Sequence, residues 1–391
     1  MYRTVGFIAC LLVACPLVGG SQSPDQFTPV VVSPLLPTTE RVLGTDGKDH
    51  VVYELAFANT SQAPATLKKL EVFDARDPSA ALAGYEGDPL VSRLRTLGNT
   101  RPETPELDFN ETRLVLLHLA FDPGAGVPHR FVHRVEVLAA TSPADLTPVL
   151  HSYTVAPVRI RPRIPVVGPP LVGQGWVALN GCCEAEGVHR STGLPVNGQL
   201  HFAQRYAIDW MRLDAEGRLV HGDLSDVHSY TAYGADVVAV ADGVIVGTRN
   251  DLEDQVPPHL PDPKTITAQT LLGNHVIQDI GHGFFAFYAH MQKGSVTVAP
   301  GARVTRGQRL GRVGNSGNTS APHLHFHIMA GASAIGSNGL PYVIDGFALA
   351  GQIPADASGG LEGSFQQYRF PHPIAVQRQL PLDQVIVDFA P

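Results

Sequence analysis

The sequence predicts a mainly β protein, an amino-terminal β-sandwich followed by an antiparallel β domain, and three observations carry that expectation. Only 16% of the 391 residues are charged, while 39 glycines and 32 prolines interrupt short apolar runs, a composition of strands and turns and not of helix bundles. Val51, Tyr53, Leu55 and Phe57 alternate with Val52, Glu54, Ala56 and Ala58, the period of a strand with one buried and one less buried face. Glycine-punctuated hairpin patterns then recur through the second half, at Gly243, Gly273, Gly283 and Gly301 to Gly314. The length suits two domains, each able to bury its own core. The net charge of −8 comes with no Lys/Arg-rich tract, which excludes an electrostatic grip on nucleic acid.

In chain order, residues 1–22 read as a secretory signal. Arg3 precedes an apolar run from Val5 to Ala14 that is too short to span a bilayer as a mature helix. Leu12-Val13-Ala14-Cys15 resembles the lipobox of bacterial lipoproteins, which implies a lipidated Cys15 anchored to a membrane. The alternative is cleavage between Gly19 and Ser23 and a soluble product. Either way the chain is expected to be exported, to a periplasmic, cell-envelope or extracellular location. Residues 28–158 read as an immunoglobulin-like β-sandwich, in which Asp122-Pro123-Gly124 turns the chain between two strand patterns; His118 and His133 there are expected to be strand residues with satisfied rings. Residues 159–175 form a Pro-rich linker, with Pro162, Pro165, Pro169 and Pro170 favouring an extended, stiff path. Residues 176–391 make up the second domain with its carboxyl-terminal extension. Within it the adjacent Cys182 and Cys183 form either a vicinal disulfide or two free thiols.

The chemistry concentrates in Pro322-His323-Leu324-His325-Phe326-His327-Ile328. On a strand the three imidazoles share one face and the apolar residues the other. Neutral imidazole is both a zinc ligand and a proton-transfer group. Upstream stand Tyr233-Gly234-Ala235-Asp236-Val237, Val240-Ala241-Asp242-Gly243, Gly273-Asn274, Tyr288-Ala289-His290-Met291, Gly294-Ser295-Val296, Val304 to Gly307 and Gly314-Asn315-Ser316-Gly317-Asn318. In order and spacing, this set over residues 204–329 resembles the lysostaphin-type zinc metallopeptidases, which cut peptide bonds in bacterial cell-wall peptidoglycan.

The resemblance implies Zn2+ as cofactor and a peptidoglycan peptide as substrate. It also implies His325 and Asp209 as metal ligands and His290 and His323 as the catalytic pair. With three protein ligands a fourth position stays open for water. One departure stands out. In the family three residues separate the first ligand from the aspartate, and that position falls on Arg205, which cannot bind zinc. His201 is eight residues before Asp209, about 26 Å away along a straight strand. His189 comes within a few residues of Asp209 if Asn197-Gly198 folds as a two-residue hairpin, so the metal set is read as His189, Asp209 and His325, with His201 the alternative first ligand. No HExxH pattern exists for a glutamate base. His327 either supports the site from behind or bonds within its strand. His275 and His282, beside hairpin turns, are expected at the surface, and Trp210 is expected to pack. The functional expectation is an exported zinc metallo-endopeptidase, and its alternative is a catalytically inactive relative that binds cell wall or activates another hydrolase.

Overall fold

The computed structural model describes residues 25–142, 144–357 and 360–390; the expected signal segment, with Cys15, lies outside them. Ten strands between Val30 and Arg161 form the first sheet system. Thr38–Leu43 joins its two arms, pairing antiparallel with Asp49–Asn59 on one side and parallel with the end of Asp145–Arg161 on the other. Side chains of both arms, among them Val51, Leu55, Phe57, Leu70, Val72, Phe131 and Val135, meet in one core.

Asp49–Asn59 departs from its expected one-sided burial. Val52 joins the core of the second sheet system and Glu54 is buried, because the face that alternation marks as outward is covered by residues far along the chain.

In the same region the His133 ring is fully buried. Nδ1–H donates to Ala156 O at 2.7 Å and Nε2 accepts from the Tyr53 hydroxyl at 2.9 Å. Burial pushes its pKa down from 6.5 to about 4, so between those values the unfolded chain binds the proton and the folded one does not. The contribution is fully present above pH 6.5 and is lost as pH falls toward 4; it amounts to about 3 kcal/mol. Thermal unfolding followed from pH 7 to 4.5 is therefore expected to fall less steeply for His133→Gln than for the unmodified protein, and equal slopes would remove His133 as a cause.

The second sheet system runs in the order Arg303–Val304, Gly243–Arg249, Asn274–Asp279, Phe285–Met291, Leu324–Met329, Ile208–Arg212, Trp176–Leu179, Val385–Asp388, Phe347–Gln352 and Arg369–Val376. The Pro-rich stretch is extended, as its prolines require, but it is packed and not free. Val166–Val167 pairs with Val343–Ile344, Gly168 N–H donates to Val240 O at 2.7 Å, and Val167 and Leu171 are buried. Asn197 and Gly198, at φ 50° and 79°, make the turn between Leu194–Val196 and Gln199–His201; a type I′ turn demands positive φ at both central positions. Cys182 and Cys183 are joined to each other as a disulfide. No helix among the described residues is long and apolar enough to cross a membrane.

Candidate metal centre

Leu324–Met329 lies between Ile208–Arg212 and Phe285–Met291, and register places Asp209 and Ala289 directly across from His325. Residues opposite one another share a face, so strand pairing alone sets the Asp209 carboxylate beside the His325 ring. His325 Nδ1 is 2.8 Å from Asp209 Oδ1, His323 Nε2 is 3.3 Å from the same oxygen, and His189 Nε2 is 3.3 Å from Oδ2. His189 reaches this point from the loop ahead of the 194–201 hairpin, its ring edge-on to His325 with centroids 4.8 Å apart. The His290 ring is 4.8 Å from that of His323 and 5.8 Å from that of His325. His201 sits on the hairpin opposite Leu194 and joins neither group of converging donors around this carboxylate, His189, Asp209 and His325 or His290, His323 and His325.

Each ring is held from behind. Nδ1–H of His189 donates to Ala207 O at 3.1 Å, that of His290 to Ser316 O at 2.8 Å, and that of His323 to Ala321 O at 2.7 Å. These bonds leave Nε2 of all three as the lone-pair atom facing inward. His325 is turned the other way, Nδ1 toward Asp209 and Nε2 3.0 Å from His327 Nδ1. The loop from Gly314 to Asn318 supplies Ser316 O, the carbonyl that holds His290. His290 has φ 59°, beside the register break between Asn274 and Val276, and such a bulge re-aims a side chain toward a site. Gly273, at φ 64°, approaches so closely that an added Cβ would collide with Ser316 O, the carbonyl that holds His290.

The consequence is a convergence of acceptors. Two inward imidazole lone pairs face an ionised carboxylate, an arrangement that only protons or a cation can bridge. In the protein alone, protons take that role. Burial opposes charge on His189 and His323, but the Asp209 carboxylate outweighs it and raises both above the usual imidazole value. Burial likewise opposes ionisation of Asp209, and His189 and His323 overcome it, holding the carboxyl well below its ordinary range. His325 is pushed down to about 4, chiefly by burial. His189, Asp209 and His325 each bring one donor atom within 4.8 Å of the others, and two imidazoles with one carboxylate fit a divalent zinc-type ion.

One participant carries little signal in the sequence. Asn180, just past Trp176–Leu179, donates from Nδ2 to Asp209 Oδ2 at 2.8 Å; Leu179 pairs with Asp209, and only that strand pairing reveals its neighbour. His327 is fully buried and backs His325, one of the two alternatives its sequence position left open. His275, expected at the surface, is half-buried beside Phe287, and Trp210 packs edge-on against Phe389. His50, His118 and Cys183 also converge, but this is a hydrogen-bonded chain. The two rings meet Nδ1 to Nε2 at 2.9 Å with their planes 17° from parallel, and Asp46 and Glu184 lie on their far nitrogens. Two nitrogens on one tetrahedral zinc stand about 3.3 Å apart and are not in line.

Residues 226–337 match the model of peptidase family M23. The matched segment includes His290, His323 and His325; His189 and Asp209 precede it. Among curated proteins the chain is 32% identical over 96 residues to the peptidoglycan DD-endopeptidase ShyA of Vibrio cholerae serotype O1 (strain ATCC 39315 / El Tor Inaba N16961), covering 25% of this chain and 18% of that protein. It therefore spans less than a fifth of that relative. Similar solved structures include the catalytic domain of the antimicrobial peptidase lysostaphin from Staphylococcus simulans, at 22% identity and TM-score 0.23, over 37% of this chain and 80% of that one. A zinc containing peptidase from Vibrio cholerae gives 12% identity and TM-score 0.27, over 77% and 85%.

Proposed function

We propose that the protein is an exported zinc metallo-endopeptidase that hydrolyses peptide bonds in peptidoglycan stem peptides or cross-bridges. His189, Asp209 and His325 hold the ion, and His290 and His323 act on the reacting atoms. The observation that carries this reading is the cluster of imidazole nitrogens around one buried carboxylate, each ring fixed through its other nitrogen. Bound zinc supplies Lewis acidity, polarising a carbonyl and lowering the pKa of water.

The chain's own residues supply the proton handling. His290, with Nδ1–H committed to Ser316 O, presents Nε2 as an acceptor for a proton from water. His323, fixed at Nδ1 by Ala321 O, offers Nε2 on the same side and, when protonated there, donates to the oxygen on which negative charge develops. The domain plan belongs to the same proposal: a signal over 1–22 that leads to export, with Cys15 as lipid anchor, a sandwich over 28–158, a connection over 159–175 and the peptidase unit over 176–391.

Purified peptidoglycan incubated with the full-length mature protein is expected to release soluble fragments bearing new free amino groups. A zinc chelator is expected to stop the release, and added zinc to restore it. Binding to the wall without any release by the zinc-loaded protein would favour the inactive relative instead.

A further inference from the structure

We infer that Glu54 of the amino-terminal sheet is a positioning residue for the metal centre: its carboxylate clamps Arg190 and Arg205, and thereby fixes the segment that presents His189. The inference rests on the ligand reading above. Glu54 is 1% exposed, Arg190 1% and Arg205 5%. Glu54 Oε1 accepts from Arg190 Nη1–H at 2.7 Å and Arg205 Nε–H at 2.9 Å, and Oε2 accepts from Arg205 Nη2–H at 2.6 Å. Arg190 Nη2 also donates to Tyr53 O at 2.9 Å and Leu117 O at 3.3 Å, so its guanidinium is tied to two adjacent strands of the amino-terminal sheet.

The covalent neighbours give the clamp its meaning. Arg190 follows His189 directly, and Arg205 lies four residues before Asp209. His189 sits on no strand; its nearest regular element is the three-residue strand from Leu194. Zinc–nitrogen distances tolerate only about ±0.2 Å, so a ligand on such a segment needs an anchor. Strand pairing anchors Asp209 and His325, whereas His189 has its bond to Ala207 O and the side chain of its neighbour.

The sequence departure acquires a physical account in the same terms. The position that the family resemblance assigns to a histidine holds Arg205, and that arginine joins the carboxylate that restrains the substitute ligand. Buried ion pairs are weak evidence of stability, since desolvation offsets their attraction; fixing one arrangement is their best-attested use.

The test compares the full-length mature protein with Glu54→Gln and with the triple variant Glu54→Leu, Arg190→Leu, Arg205→Leu, which removes all three buried charges together and so avoids stranding one. Zinc affinity is read by competition with a chromophoric chelator, and the unfolding midpoint is read on metal-free protein. Both variants are expected to bind zinc about 10–100-fold more weakly, the range for lost support behind a ligand, with the triple variant keeping a metal-free midpoint near that of the unmodified protein. Unchanged zinc affinity in the triple variant overturns the inference, whatever its midpoint. His189→Ala, run alongside, separates the two readings: if it binds zinc as tightly as the unmodified protein, the ligand assignment fails and not the clamp.

Discussion

Asp209→Ala is expected to cost the protein its stoichiometric zinc and to lower peptide hydrolysis by about 10³-fold or more. Every other member of the site is arranged about this carboxylate, with His325, His323, His189 and Asn180 all within 3.3 Å of its oxygens. Removing it withdraws the one negative charge that makes a buried divalent ion affordable among neutral imidazoles. Several kcal/mol of charge stabilisation in the reaction goes with the metal, and each 1.36 kcal/mol is tenfold in rate. Metal analysis of the dialysed variant beside its hydrolysis rate checks both parts. Full zinc occupancy with activity within tenfold of the unmodified protein contradicts them.

His290→Ala and His323→Ala are expected to separate chemistry from binding. Each should keep its zinc and lose about 10²–10⁴-fold in kcat, the usual contribution of a positioned acid or base. Their Nδ1 atoms are committed to Ser316 O and Ala321 O, and each presents Nε2 inward from a buried or nearly buried ring. The double variant is expected to lose less than the product of the single losses, because the pair acts on one reacting centre. A competing donor set exists in His290, His323 and His325. Loss of zinc from either single variant would assign the metal to that set and displace His189 and Asp209 from it.

What was legible in the sequence follows from how far apart the interacting residues lie. A period of two places His323, His325 and His327 on one face with no knowledge of the partner strands, because alternation is a local property of an extended chain. Asn197-Gly198 similarly states its own turn type, and both residues take the positive φ that turn demands. The burial of both faces of Asp49–Asn59 was not legible, since Arg190 and Arg205 cover Glu54 from 136 and 151 residues away. Alternation reports which residues differ from their neighbours and says nothing about a second covering surface. Asn180 was hidden for a related reason: a turn asparagine after a strand is common, and only the pairing of Leu179 with Asp209 gives this one a carboxylate to hold. The prolines of 159–175 state an extended path but not its destination, which is set by Val343–Ile344 and Val240.

The account stands on a divalent ion held by His189, Asp209 and His325, and the first of these is the ligand that the sequence placed least firmly. Zinc content of the purified mature protein, measured against His189→Ala and His201→Ala after identical dialysis, tests it most directly. One zinc per chain in the unmodified protein and in His201→Ala, with zinc lost from His189→Ala, is the result the account predicts. No bound zinc in the unmodified protein, or retention in His189→Ala with loss in His201→Ala, would contradict it.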